Sequence, residues 1–219
     1  MSNLLIYISG FSISISVIIS WIRLNKINQV FYPLLICLNI GLLNEFFGLF
    51  LTNSGYAISI SINNNVYVLL ESLLILWQFK NWGSFHNRKY LFWIFVFLFA
   101  GIWGTENFII SKITYTNSYF RVSYSFILVL LAINQINEII VRDRKNILLN
   151  PVFLICTGVI IYFTYKVLVE IFWIYGLPKS DEFRGNIYLI HDWINLFSNL
   201  IYAFAVLWMQ KRQRFLLPS

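Results

Sequence analysis

Charge is scarce in this chain. Only 11% of its 219 residues are Asp, Glu, Lys or Arg, while 59% are hydrophobic; a soluble domain carries roughly 25% charged residues. So low a density of charge excludes an intrinsically disordered chain and a nucleic-acid-binding domain alike. Cysteine is nearly absent too. Cys37 and Cys156 both fall inside apolar runs, which gives no disulfide framework and reads as two small buried side chains. Two histidines, His86 and His191, are too few for a zinc hydrolase of the usual His-rich type. There is no Gly-rich phosphate loop, no Gly-x-Ser-x-Gly elbow and no His-Glu-x-x-His. Long polar segments are missing as well, so no soluble domain is expected at either end.

What remains is apolar sequence in spans of bilayer length. Seven stretches, approximately 4–22, 30–51, 66–82, 90–110, 119–141, 148–175 and 187–209, each lie near the roughly 20 residues a membrane helix needs. The expectation is one all-α integral membrane domain over 1–219, a seven-transmembrane-helix bundle in contact with lipid. The first stretch has no basic leader and no small-residue cleavage site, so it reads as a retained span.

The net charge of +7 is patterned along the chain. Basic clusters follow the first, third, fifth and seventh stretches: Arg23 and Lys26; Lys80, Arg88 and Lys89; Arg142, Arg144 and Lys145; Lys211, Arg212 and Arg214. The positive-inside rule puts these on the cytoplasmic side, with the N-terminus outside and the C-terminus in the cytoplasm. The outer loops are then 52–65, 112–117 and 177–185, the last holding Asp181 and Glu182. Abundant Ile, Asn, Phe and Tyr suggest an AT-rich genome and hence a bacterial inner membrane.

An internal repeat is also legible. Pro33 to Cys37 in the second stretch resembles Pro151 to Cys156 in the sixth. Asn65-Val66-Tyr67 precedes Glu71 as Asn186-Ile187-Tyr188 precedes Asp192. This is the pattern of a parallel 3+1+3 plan, in which the fourth helix links two triplets.

Ionisable groups in hydrocarbon are costly and mark functional sites by default. Glu45, Glu71, Glu106, Glu170 and Asp192 all fall within spans, with Lys166 and Arg121 as counter-charges. At 1.5 Å per residue, Glu45 lies ~22 Å, Glu106 ~24 Å and Lys166 ~27 Å from the inner ends of their helices, and Glu71, His191 and Asp192 ~6–8 Å from the outer boundary. All are therefore expected in the outer third of the membrane. Helical spacing groups Tyr162, Lys166 and Glu170 on one stripe, Tyr67, Glu71 and Gln78 on another, Trp103 with Glu106, and Asp192 with Asn195 and Asn199. The candidate ligand-binding set is Glu45, Glu71, Trp103, Glu106, Tyr162, Lys166, Glu170, His191, Asp192 and Asn195. Five acids against two bases point to a protonated group or a small cationic ligand.

These features favour a sensor or receptor-like protein with an acidic polar pocket open to the outer face. A solute or ion transporter of 3+1+3 type is the alternative, and an intramembrane enzyme with paired carboxylates a further one. No catalytic residue, metal site or cofactor is specified by the spacing. A protein partner in the membrane is admitted.

Overall fold

A computed structural model describes residues 2–142, 147–175 and 181–209. Of the charged residues read above, Arg144, Lys145, Lys211, Arg212 and Arg214 lie outside the described residues, as does part of the 177–185 segment. The chain is helical and, among the described residues, contains no strand. Its helices are α1 (Ser2–Phe11), α2 (Ile13–Arg23), α3 (Tyr32–Asn53), α4 (Ala57–Asn81), α5 (Lys89–Thr105), α6 (Ser118–Arg142), α7 (Pro151–Ile174) and α8 (Asp181–Trp208). A π-helical turn, Glu106–Ile110, extends α5. The two short helices α1 and α2 make one span, so among the described residues seven segments are long and apolar enough to cross a membrane. In hydrocarbon every backbone N–H and C=O must bond within its own segment, and this all-helical arrangement meets that demand.

Local sequence fixes where the spans begin. Asn28 accepts a hydrogen bond from the Val30 N–H at 3.0 Å and so caps the 3-10 turn Gln29–Phe31, which leads into α3 with Pro33 in its first turn. Asn150 likewise accepts the Val152 N–H at 2.9 Å, with Pro151 in the first turn of α7. Each Asn satisfies orphan donors at a helix start, where proline's missing N–H costs nothing. Gly55 and Gly83, at φ 74° and 92°, make the tight turns after α3 and α4, a backbone region that favours glycine.

The spans form a closed ring in chain order. The α1–α2 span packs on α3 and α8, α3 on α4, α4 on α6, α6 on α7, and α7 on α8. Helix α5 lies outside this ring, against α4 and α6. Small residues allow the closest approaches. Ser9, Ser12, Ser16 and Ser20 are all buried on one stripe, and Asn199 of α8 donates to Ser12 Oγ at 2.8 Å while accepting Ser16 Oγ at its carbonyl at 3.1 Å. Ser12 also bonds back to the Ser9 carbonyl at 2.6 Å, at the break between α1 and α2. Gly158 of α7 seats the Tyr202 ring, whose Cε1 would be 2.6 Å from any Cβ placed there.

The inside of the ring is partly polar and the outside apolar. Glu71, Gln78, Lys166 and Glu170 are buried, whereas Trp21, Phe50, Phe97 and Ile109 face outward and are exposed. Only an apolar solvent stabilises that arrangement, so the protein is a multi-pass membrane protein.

Two expected boundaries are corrected. The polar segment 52–65 is not one loop, because Ala57 to Asn65 is already helical. Its Asn side chains are used for packing: Asn63 donates to Asn44 at 2.7 Å, and buried Asn65 donates to the carbonyls of Ile113 and Tyr115 at 2.8 and 2.6 Å. Asp181 and Glu182 open α8 rather than lying in the preceding loop. The ring is unchanged when the first triplet of spans is exchanged with the last, as a 3+1+3 plan requires. Any closed six-membered ring has that symmetry, however, and the matched acids differ in surroundings: Glu71 meets a lysine and Asp192 a serine.

Candidate functional site: a polar chamber with an ion-paired floor

At the end of the bundle carrying the 111–117 loop, α3, α4, α6, α7 and α8 and the end of α5 enclose a cavity of about 780 Å³. Of the candidate residues, Glu45, Glu106, Tyr162, Lys166, Glu170 and His191 line it. Asn44, Asn64, Tyr67, Arg121, Trp173 and Tyr188 contribute further wall.

Its floor is an ion pair. Lys166 of α7 lies 3.0 Å from Glu71 Oε2 across the ring, and both side chains are buried. Tyr124 of α6 donates to the same oxygen at 2.7 Å, and Tyr67 donates to Oε1 at 3.2 Å. The ammonium also stands over the rings of Tyr124, Tyr162 and Phe163, at 5.3, 5.2 and 5.4 Å from their centroids. A charge pair out of water is tolerable only when its remaining hydrogen-bonding capacity is met this way. With α4 starting at Ala57, Glu71 lies ~21 Å along its helix. It is deeper than the late-starting span implied, at the level of Lys166. The i, i+4 pairing of Lys166 with Glu170 that the stripe suggested does not form: each bonds to another helix.

Glu170 is held in the wall. Arg121 Nη1 lies 3.1 Å from its Oε1, and Ser118 Oγ donates to Oε2 at 2.6 Å. Glu106 serves a different purpose. Its two oxygens accept the backbone N–H groups of Tyr119 and Phe120 at 3.0 and 2.6 Å, so it caps the start of α6, where helix dipole and unpaired donors favour an anion. The π turn beginning at Glu106 re-aims the chain beyond α5, and Ser111 N–H and Oγ both bond the Glu106 carbonyl at 2.8 Å.

On the opposite wall, His191 lies between the rings of Tyr162 and Tyr165, each 6.2 Å away. Trp173 and Tyr188, both lining residues, meet at 6.3 Å and join α7 to α8 near the chamber's mouth. Asp192 turns away and accepts a hydrogen bond from Ser9. Asn195 donates to the Ser9 carbonyl at 3.4 Å. These two, with Trp103, whose Nε1 donates to the Asn65 carbonyl at 2.8 Å, do not line the chamber. Glu45 does. Its carboxylate lies against Gly10 of α1, with Oε2 2.8 Å from where a Cβ would stand.

Spacing passed over Tyr124, one tyrosine among 13, because nothing in the α6 pattern marks it as the partner of a distant Glu. Ser118 was missed for the same reason. Among the described residues, no three His, Cys, Asp or Glu side chains come together as a metal-ligating set.

Below the floor the bundle is packed. Leu76, Phe79, Leu128, Ile155, Cys156, Val159 and Phe163 are almost fully buried. Both buried glutamines at this level are tied into contacts with other segments, while the buried Ser198 hydroxyl has no hydrogen-bond partner among the described residues. Gln78 donates to the Val30 carbonyl at 2.8 Å and accepts the Leu34 N–H at 3.0 Å, and Gln135 accepts Ser84 Oγ at 2.6 Å. Arg23 reaches the carbonyls of Leu207 and Met209 at the end of α8.

The protein is thus a seven-helix membrane protein with a polar chamber at one end of its bundle and an apolar core at the other. Comparison with known protein families, curated proteins and solved structures finds no match to this chain.

Proposed function

We propose that the chain is a receptor-like membrane protein that takes a small polar solute into this chamber from the outer face. The observation that carries the reading is the asymmetry across the Lys166–Glu71 pair. On one side lies a chamber of about 780 Å³ with charged, hydroxyl and aromatic walls, within the 300–1,000 Å³ range of small-molecule sites. On the other side lies close-packed apolar core. The basic residues at the packed end orient it toward the cytoplasm, and composition favours a bacterial inner membrane. The transporter alternative needs a polar path through the second half. Gln78, Gln135 and Asn199 are the obvious candidates, and each is engaged by another segment of the chain, which favours sensing. A signal would pass from the chamber walls to a partner in the membrane or cytoplasm through α7 and α8.

The test is a screen of small polar solutes for thermal stabilisation of the detergent-purified protein. A stabilising solute should lose its effect once His191→Cys is blocked with a bulky thiol adduct, and it should not accumulate in proteoliposomes. Accumulation would contradict the receptor reading. Stabilisation that survives the block would place binding elsewhere.

A further inference from the structure

Charge balance in the chamber singles out one residue. Seven charged side chains inside the spans gather at this end of the bundle, five acids and two bases, and all but one have a partner among the described residues. Glu71 pairs with Lys166 and Glu170 with Arg121. Glu106 has both oxygens on backbone N–H groups at the start of α6. Asp192 accepts from Ser9. Glu45 lines the chamber, half-buried, and among the described residues it takes part in neither ion pair, the charge recorded as acting on it being that of Asp192, another acid. Its neighbour Asn44 already accepts the Asn63 amide, and Gly10, against which the carboxylate lies, presents no side chain. A partly desolvated carboxylate without a partner is costly, and the chamber in front of it has aromatic walls that include Tyr67, Tyr162, Trp173 and Tyr188.

From this arrangement we infer that the chamber selects an organic ammonium, with Glu45 as its counter-ion and the aromatic faces as its lining. This rests on the reading of the chamber as a binding site and adds the ligand's chemical class. Carboxylate and ring faces together suit an alkyl- or arylammonium, because the ring quadrupole and the anion both attract positive charge while the apolar ring bodies cover the alkyl part. The bases lining the chamber offer no equal attraction to an anion, since Lys166 and Arg121 already face carboxylates. The other acids are not alternatives for the anchoring role: removing Glu106 or Glu170 breaks a cap or an internal pair, whereas removing Glu45 breaks nothing in the described structure.

The experiment reads the charge preference of the chamber directly. A cysteine at Asn44, which lines the chamber beside Glu45, is modified from outside with two membrane-impermeant thiosulfonates of similar size. One carries a trimethylammonium group and the other a sulfonate. Buried Cys37 and Cys156 in the unmutated chain provide the blank. After correction for the reagents' intrinsic reactivity, the cationic one should react about tenfold faster or more, as one unscreened charge a few ångströms away implies. In the Asn44→Cys, Glu45→Gln double variant this preference should fall to within about threefold. Equal rates with Glu45 present, or a preference that survives Glu45→Gln, would overturn the inference and leave the chamber itself standing. If neither reagent reacts while both label the same variant after unfolding, water does not enter, and the binding-site reading falls with the inference.

Discussion

Lys166 and Glu71 stand on helices 95 positions apart in sequence and meet 3.0 Å apart at the centre of the bundle. This one contact divides the molecule. Toward the 111–117 loop the ring of helices opens around polar walls, and toward the basic loops it closes on apolar side chains.

Breaking the pair from one side should therefore cost more than removing it. Lys166→Met leaves Glu71 with only the Tyr67 and Tyr124 hydroxyls, and truncating one partner of a buried pair costs ~3–5 kcal/mol. The double variant Lys166→Met, Glu71→Gln keeps an acceptor for those hydroxyls and carries no unpaired charge. It should recover most of the loss. Thermal unfolding in detergent measures both. A double variant as unstable as the single one would show that packing around the ammonium, rather than charge, holds the floor.

Glu106 should behave as a cap and not as a ligand group. Glu106→Gln removes the charge from the α6 N-terminus but keeps one acceptor, for an expected loss of about 0.5–2 kcal/mol. Solute binding by the folded fraction should be unchanged. A selective loss of binding at full stability would move Glu106 into the site.

The α7–α8 contact is set by the absence of a side chain. Gly158→Ala places a methyl group against the buried Tyr202 ring, and overpacking of this kind costs about 1–3 kcal/mol. Tyr202→Leu in the same chain should restore part of the loss. Additive effects of the two changes, measured by thermal unfolding, would indicate that the helices separate and do not clash.

Orientation follows from the basic loops. Reporters inserted at Ser54 and Thr114 should be active outside the membrane and one at His86 inside. The reverse pattern would turn the chamber toward the cytoplasm.

Much of this architecture is legible in the sequence because lipid imposes a simple rule: an apolar run of bilayer length is a helix. The α4 boundary escaped that rule, since Asn63 and Asn65 look like loop residues until Asn44 and the 113–115 backbone supply their partners. The site was legible to the level of which residue types gather at one end. Who pairs with whom was not. Helical spacing relates residues on one helix, but Lys166–Glu71, Arg121–Glu170 and Tyr124–Glu71 all cross between helices. Asp192, Asn195 and Trp103 share the depth of the chamber yet turn to α1 or α4, a matter of helix rotation that no one-dimensional pattern specifies.

With the Lys166–Glu71 pair as its floor, the chamber should be wet to the level of Lys166 and sealed beneath it. The direct measurement is the reactivity of single cysteines along α7 toward a membrane-impermeant thiol reagent applied from outside. Cysteines at Trp173 and Val169, which line the chamber, should react, and those at Phe163 and Val159, buried below the floor, should not. Reaction at position 159, or none at 169 and 173 in folded protein, would show that the pair is not the floor of a water-filled chamber.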